Sequence, residues 1–237
     1  GLYNNNLITA FQVGKEGDAF TERYVEIRSD SVVVATGCIE RPLLFENNER
    51  PGIMQISCAH RLALTYGILA GSEAVFSIGH DLGLEAAVDL SDLGLKIACV
   101  ADIREEGQNA ELISKLQERN IPYMSGWVAT EAHGKAAVEK VTVSTNQGTI
   151  HKEFFCNLLV ASAGLTPVTG PLTMAQARLK YDHHTGFFLA RNLPAKMHAA
   201  GRMLGLSHPW SIETSGTLAG LRAAADCGID AGDQISE

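Results

Sequence analysis

From Glu73 to Glu118 the chain alternates short apolar runs with helical ones, and this order constrains the fold more than any single motif. Strand Ala74–Ile78 leads through Gly79-His80-Asp81 into a helix from Leu82 to Leu93. Gly94 stops that helix, and strand Lys96–Ala101 and a helix from about Asn109 to Glu118 follow. Strands separated by helices of this length predict a parallel βαβ sheet. From Trp127 to Thr149 the helical period is lost. Ala137–Val143 alternates and Asn146-Gln147-Gly148 makes a tight turn, predicting an antiparallel meander. Strand Asn157–Ala161 then runs out into Ser162-Ala163-Gly164-Leu165-Thr166-Pro167.

Upstream, Leu7–Val13 and Arg23–Arg28 read as a hairpin around the polar loop Gly14–Thr21, feeding a strand over Ser31–Ala35. Val32-Val33-Val34-Ala35-Thr36-Gly37 carries an apolar strand into a Thr-Gly turn, and Arg41-Pro42 ends it. Pro42 and Pro51-Gly52 bracket an extended linker, and Ser57 is placed to cap a helix reaching about Leu69. Downstream come a β stretch near Phe187-Phe188, the segment Met197–Arg202, and a helix over Ile212–Cys227. The small residues Ser215, Gly216, Ala219 and Gly220 suit that helix to close packing. The expected organisation is α/β: a three-layer Rossmann-like NAD(P)-binding domain with a parallel sheet and β-meander (51–162), inserted in remnants of an FAD/NAD(P)-binding domain (1–50 and 163–237).

The 237 residues, 46% apolar, can bury a sizeable core, and the net charge of −8 argues against nucleic acid and anionic membrane as partners. No run approaches a membrane span, so a cytoplasmic location is the expectation. The five cysteines include no Cys-x-x-Cys pair, and four of them read as buried reduced thiols. Asp182-His183-His184 reads as a polar turn, with no metal site. His80 and His208 have no evident acid–base partner, and Trp210 reads as a packing residue. No catalytic residue is nominated.

The turn after Ile78 has the context of a phosphate loop, in which glycines let a pyrophosphate approach a helix N-terminus. With Gly83 as third glycine of G-x-G-x-x-G, Ile78 and His80 stand where the first two belong. Gly79, Gly83 and Asp102, the last placed for a ribose hydroxyl, are the candidate contacts, though the loop reads as degenerate. Thr36, Gly37 and Gly164 lie at strand ends where a dinucleotide can approach. Gly201 precedes Arg202, a donor-only group able to pair with phosphate.

Ala35-Thr36-Gly37-x-x-Glu40-Arg41-Pro42-Leu43-x-Phe45, followed by Asn47-Asn48-x-Arg50-Pro51-Gly52-Ile53-Met54, resembles the alpha chains of heterotetrameric sarcosine oxidases, within the two-dinucleotide-domain flavoproteins. Alpha chains of opine oxidases, hydrogen cyanide synthase and dye-linked proline dehydrogenase share parts of it. The resemblance extends over nearly the whole chain, including Tyr66-Gly67 and the Gly164–Pro167 turn. It implies an oxidoreductase acting on a small secondary amine, with catalysis on the flavin of a beta-type partner subunit. It further implies FAD or NAD in the intact alpha chain, FMN at the subunit interface, and none tightly held by this segment, which is expected to be a central fragment and inactive alone. Flavoproteins of this architecture mostly have Asp where Arg202 stands. A docking role with a decayed nucleotide loop is the alternative.

Overall fold

The computed structural model describes residues 1–183 and 185–229. The chain forms two compact units: Gly1–Ile39 with Thr166–Glu237, and Glu40–Leu165. The strands that pass between them, Cys38–Arg41 and Gly164–Pro167, pair with each other. His184 lies outside the described residues. Among those described, no group of three metal-ligating side chains occurs, and no helix is long and apolar enough to cross a membrane.

The Glu40–Leu165 unit is built on a five-stranded parallel sheet, in the spatial order Ile53–Met54, Leu158–Ser162, Glu73–Ile78, Lys96–Asp102, Tyr123–Ser125. Because side chains alternate across a strand, the sheet supplies two cores. Ala74, Phe76, Ile78, Val100, Leu158 and Val160 pack against the helices Ile56–Tyr66, Asp81–Asp92 and Ala110–Glu118. Val75, Cys99, Ala101, Leu159 and Ala161 instead meet the meander of Trp127–His133, Lys140–Thr145 and His151–Phe155. Helices, sheet and meander are the three expected layers. A register shift between Ala74 and Val75 lets Ile97 and Val100, an odd number of residues apart, join the helix-side core.

Local signals explain some helix ends. Asn109 accepts hydrogen bonds from Glu111 N and Leu112 N at the start of one helix, and Gly67, at φ +66°, closes another. Ser57 is not a cap: the helix begins at Ile56, and its first two N–H groups are satisfied from outside the helix.

In the other unit, Leu2–Tyr3, Leu7–Val13 and Glu22–Arg28 form an antiparallel sheet, and Val32–Val34 pairs in parallel with Met197–Ala199. Leu2, Val32, Val34, Leu172, Met197 and Met203 make its core. The last helix runs Pro209–Asp226, starting three residues earlier than the sequence suggests, because His208 caps it by accepting from Trp210 N and Pro209, which has no N–H, needs no acceptor at its start. Trp210 is 69% exposed and does not pack as expected. Where that helix ends, Asp226 takes hydrogen bonds from His198 (2.7 Å) and Ser31 (2.8 Å). Those bonds, His198's first, hold the Asp226 carboxyl below its usual range. A depressed carboxyl stabilises the fold above its unfolded pKa, and that contribution is lost as pH falls through the folded value. Asp226→Asn is therefore expected to lower Tm at neutral pH, with the gap from the parent chain closing well below about pH 3.9. Parallel melts at both pH values check this.

Burial of the cysteines is uneven. Cys99 and Cys156 are buried, which pushes their thiols up to about 12 and about 11 respectively. Cys58 and Cys227 are exposed and Cys38 is half-buried, against the expectation of four buried thiols.

Candidate functional site

In an open parallel sheet, ligands lie beyond the carboxyl ends of the strands, where the strand order switches direction. Here the switch falls at Glu73–Ile78, with Lys96–Asp102 on one side and Leu158–Ser162 on the other. The structure puts a side-chain bridge at that point. His80 Nε2 is 2.9 Å from Ser162 Oγ, which also accepts from Gly164 N. Burial depresses the His80 pKa, with Glu40, Asp102 and Asp81 opposing and Arg104 adding to the effect, so a neutral imidazole is favoured. His80 Nδ1 is buried without a hydrogen-bond partner among the described residues.

The glycines of this turn serve packing. A Cβ on Gly83 would stand 2.6 Å from Ile78 Cγ2 and 3.1 Å from Ile56 Cδ1, and one on Gly79 would stand 3.1 Å from the Ala163 carbonyl oxygen. Gly83 thus keeps the helix-on-strand role of a third glycine. The first two positions carry buried Ile78 and half-buried His80.

Asp102 is fully buried and is not available to a ribose. One carboxylate oxygen accepts from Arg104 N and Arg104 Nε, both at 3.0 Å. The other accepts from Arg104 Nη2 at 2.7 Å and from the Tyr123 hydroxyl at 3.2 Å. Two acceptances per oxygen use the carboxylate's capacity. Arg104 Nη1 in turn pairs with Asp81 at 2.9 Å, in the first turn of the Asp81–Asp92 helix. The guanidinium thus stands at the helix terminus where a phosphate would bind, already neutralised by two carboxylates. Burial works against its charge, but the bond to Asp102 and the pairing with Asp81 raise the Arg104 pKa. These residues do not fit a nicotinamide dinucleotide.

Glu40 explains the Glu-Arg-Pro motif. Its two carboxylate oxygens accept from Ile56 N (2.9 Å) and Ser57 N (2.8 Å), and its carbonyl accepts from Gln55 Nε2. A charged acceptor on orphan N–H groups at a helix start is favoured twice, by hydrogen bonding and by the helix dipole. The neighbouring Asn47 and Arg50 donate to carbonyls of Ala132 and Gly134, tying the linker to the meander. Glu40→Ala is expected to destabilise by about 1 kcal/mol, and Glu40→Gln by less, because one acceptor oxygen remains. Denaturant melts of the chain should give that order.

The other unit presents a different rim. Thr36-Gly37 and Gly201-Arg202 follow the paired strands Val32–Val34 and Met197–Ala199 at their carboxyl ends. They are drawn together by Cys38 Sγ, which donates to the Arg202 carbonyl (3.3 Å), and by the Thr36 hydroxyl lying 3.6 Å from Met203 Sδ. Thr36 Oγ1 also donates to the Val168 carbonyl at 2.7 Å, so the turn offers a ligand backbone more than hydroxyl hydrogen. Among the described residues, no atom lies within 4 Å of a Cβ built on Gly37 (φ +67°) or Gly201 (φ +80°). Arg202 is exposed and has no ion-pair partner among the described residues. Bare glycine backbone beside an unpaired guanidinium fits a phosphate-bearing ligand. Gly164, nominated with Thr36 and Gly37 as a strand-end contact, belongs to the Glu40–Leu165 unit, where a Cβ would stand 3.8 Å from His80 and 3.9 Å from Arg41.

Arg104 and Ser162 were not among the residues nominated from sequence. Asp102 and Arg104 are two apart with an exposed Ile103 between them, a spacing that places both on one side of the chain. Ser162 carries no comparable local signal.

Sarcosine oxidase subunit alpha from Corynebacterium sp. strain P-1 is 29% identical over 248 aligned residues, covering 100% of this chain and 26% of that protein. Its counterpart from strain U-96 is 30% identical, covering 97% and 25%. The chain thus spans about a quarter of the length of these relatives. Among solved structures, thioredoxin reductase from T. acidophilum superposes with TM-score 0.64 at 19% identity, covering 91% of this chain and 70% of that one. L-proline dehydrogenase from P. horikoshii gives 0.61 at 20%, covering 94% and 42%. These structures share the fold of FAD- and NAD(P)-binding oxidoreductases. The pyridine nucleotide-disulphide oxidoreductase model matches residues 5–199, and the chain belongs to that family.

Proposed function

We propose that this chain is the dinucleotide-binding part of the alpha subunit of a multisubunit, flavin-dependent amine oxidoreductase of the sarcosine oxidase type. The observation that carries the reading is similarity to sarcosine oxidase alpha subunits over 97–100% of the chain, through the Glu40-Arg41-Pro42 segment. The proposed substrate is a small secondary amine, oxidised on a flavin held by a beta-type partner. Opines and proline are the alternatives to sarcosine, proline being favoured by the fold shared with L-proline dehydrogenase.

In this reading the residues described here bind and orient but do not react. Gly37 and Gly201 admit the backbone-close approach of FAD or NAD, and Arg202 meets a phosphate oxygen. When bound, FAD would supply electron transfer, whereas NAD would serve as a structural nucleotide. FMN between subunits is part of the same proposal. Turnover of sarcosine, proline and opines by the full-length subunit with its partner is the test, and no turnover of any secondary amine would overturn the reading. Hydrogen bonds to charged groups contribute about 1.5–3 kcal/mol. For the exposed Arg202 the lower end applies, so Arg202→Ala is expected to weaken nucleotide binding about tenfold, measured by calorimetry on the full-length chain.

A further inference from the structure

We infer that the switch-point crevice of the Glu40–Leu165 unit is closed to NADH and NADPH by the chain's own side chains, and that Arg104 and His80 are the residues that exclude them. Two separate arrangements carry this. First, His80 reaches Ser162 across the position where the strand order reverses, so an imidazole bridges the place a pyrophosphate would cross. Second, the helix N-terminus that would attract phosphate has Asp81 in its first turn, and Arg104 is shared between Asp81 and the buried Asp102. A phosphate entering there would find the guanidinium charge already met by two carboxylates, or would have to take Arg104 from them. Taking Arg104 would leave Asp102, which is 0% exposed, without its counter-charge, and breaking a buried pair in this way is strongly unfavourable. The site that elsewhere accepts an anion is therefore filled by an internal ion network.

The consequence reaches the direction of electron flow. A nicotinamide that cannot dock in this unit cannot reduce a flavin from it, so reducing equivalents must enter by direct dehydrogenation of an organic donor. This consequence rests on the proposed function, whereas closure of the crevice does not.

Hydrogen–deuterium exchange on the full-length subunit with its partner, with and without millimolar NADH or NADPH, tests the inference. The expected result is no change in peptides covering 78–84 and 100–106, with any protection confined to 34–37 and 200–203. Saturable protection of the first two segments by either nucleotide would overturn it. So would anaerobic bleaching of the bound flavin by NADH that Arg104→Lys or His80→Gln alters. Secondary-amine turnover is measured separately, so crevice closure and the proposed function fail independently.

Discussion

Arg104→Ala is expected to lose about 3–5 kcal/mol of stability, the range for removing one partner from a buried ion pair. The magnitude follows from what is left behind. Asp102 has no solvent exposure, and three of the four hydrogen bonds its carboxylate accepts come from Arg104. The backbone N–H survives truncation, but the guanidinium bonds and their charge do not. Three companion variants separate charge from packing. Arg104→Lys keeps the charge without the planar fork and should fall between parent and alanine. Asp102→Asn with Arg104→Ala removes both charges and should recover much of the loss, giving a coupling energy in a double-mutant cycle. Asp102→Asn alone completes the cycle. The alanine variant should also gain stability on acidification relative to the parent chain, because an unpaired buried carboxyl takes up a proton more readily folded than unfolded. Denaturant melts at two pH values read out all of this. A loss below about 1 kcal/mol, the level of an exposed pair, would show that the network carries little.

Gly83 sets two effects of opposite sign against each other. Gly83 is the third residue of its helix, so Gly→Ala gains at most the about 0.8–1.0 kcal/mol of propensity of an interior position. Overpacking a well-filled core costs about 1–3 kcal/mol. The added methyl would stand 2.6 Å and 2.8 Å from two carbons of Ile78, a β-branched side chain with no exposure. Ile78 has little room to yield, so packing wins and Gly83→Ala is expected to destabilise. Gly83→Val adds two further carbons and forfeits most of the propensity gain, for a loss of about 3 kcal/mol. An increase in Tm for the alanine variant would mean that the helix simply moves away from the strand.

The layers of the Glu40–Leu165 unit were legible because they rest on local periodicity. Apolar runs at 74–78, 96–101 and 157–161, the glycine stop after Leu93, and the alternation near Val141 lie within a few residues of the observed elements, while the first helix ends at Tyr66, short of the expected Leu69. The site was less legible because its contacts are distant in sequence. The helix at Ile56 is satisfied by Glu40, sixteen residues earlier, while nearby Ser57 has the residue type of a cap. Ser162 meets His80 across eighty-two residues. Asp102 stood where a ribose-binding acid belongs, and the choice between ligand and internal partner depended on the path of Arg104. Degeneracy of the loop was visible in Ile78 and His80, but the Arg104 ion network at the helix terminus was not.

The place of Leu158–Ser162 in the sheet has a consequence for synthesis. All five residues are buried, and the strand lies between Ile53–Met54 and Glu73–Ile78 although it is made after every other strand of that sheet. Until it leaves the ribosome, the Glu73–Ile78 strand keeps an open, apolar edge through the whole translation of the meander. The unit can complete its sheet only by threading this final strand into a waiting gap, a long-range closure of the kind that slows folding. The interval before that closure is when a nascent chain of this design most needs a chaperone.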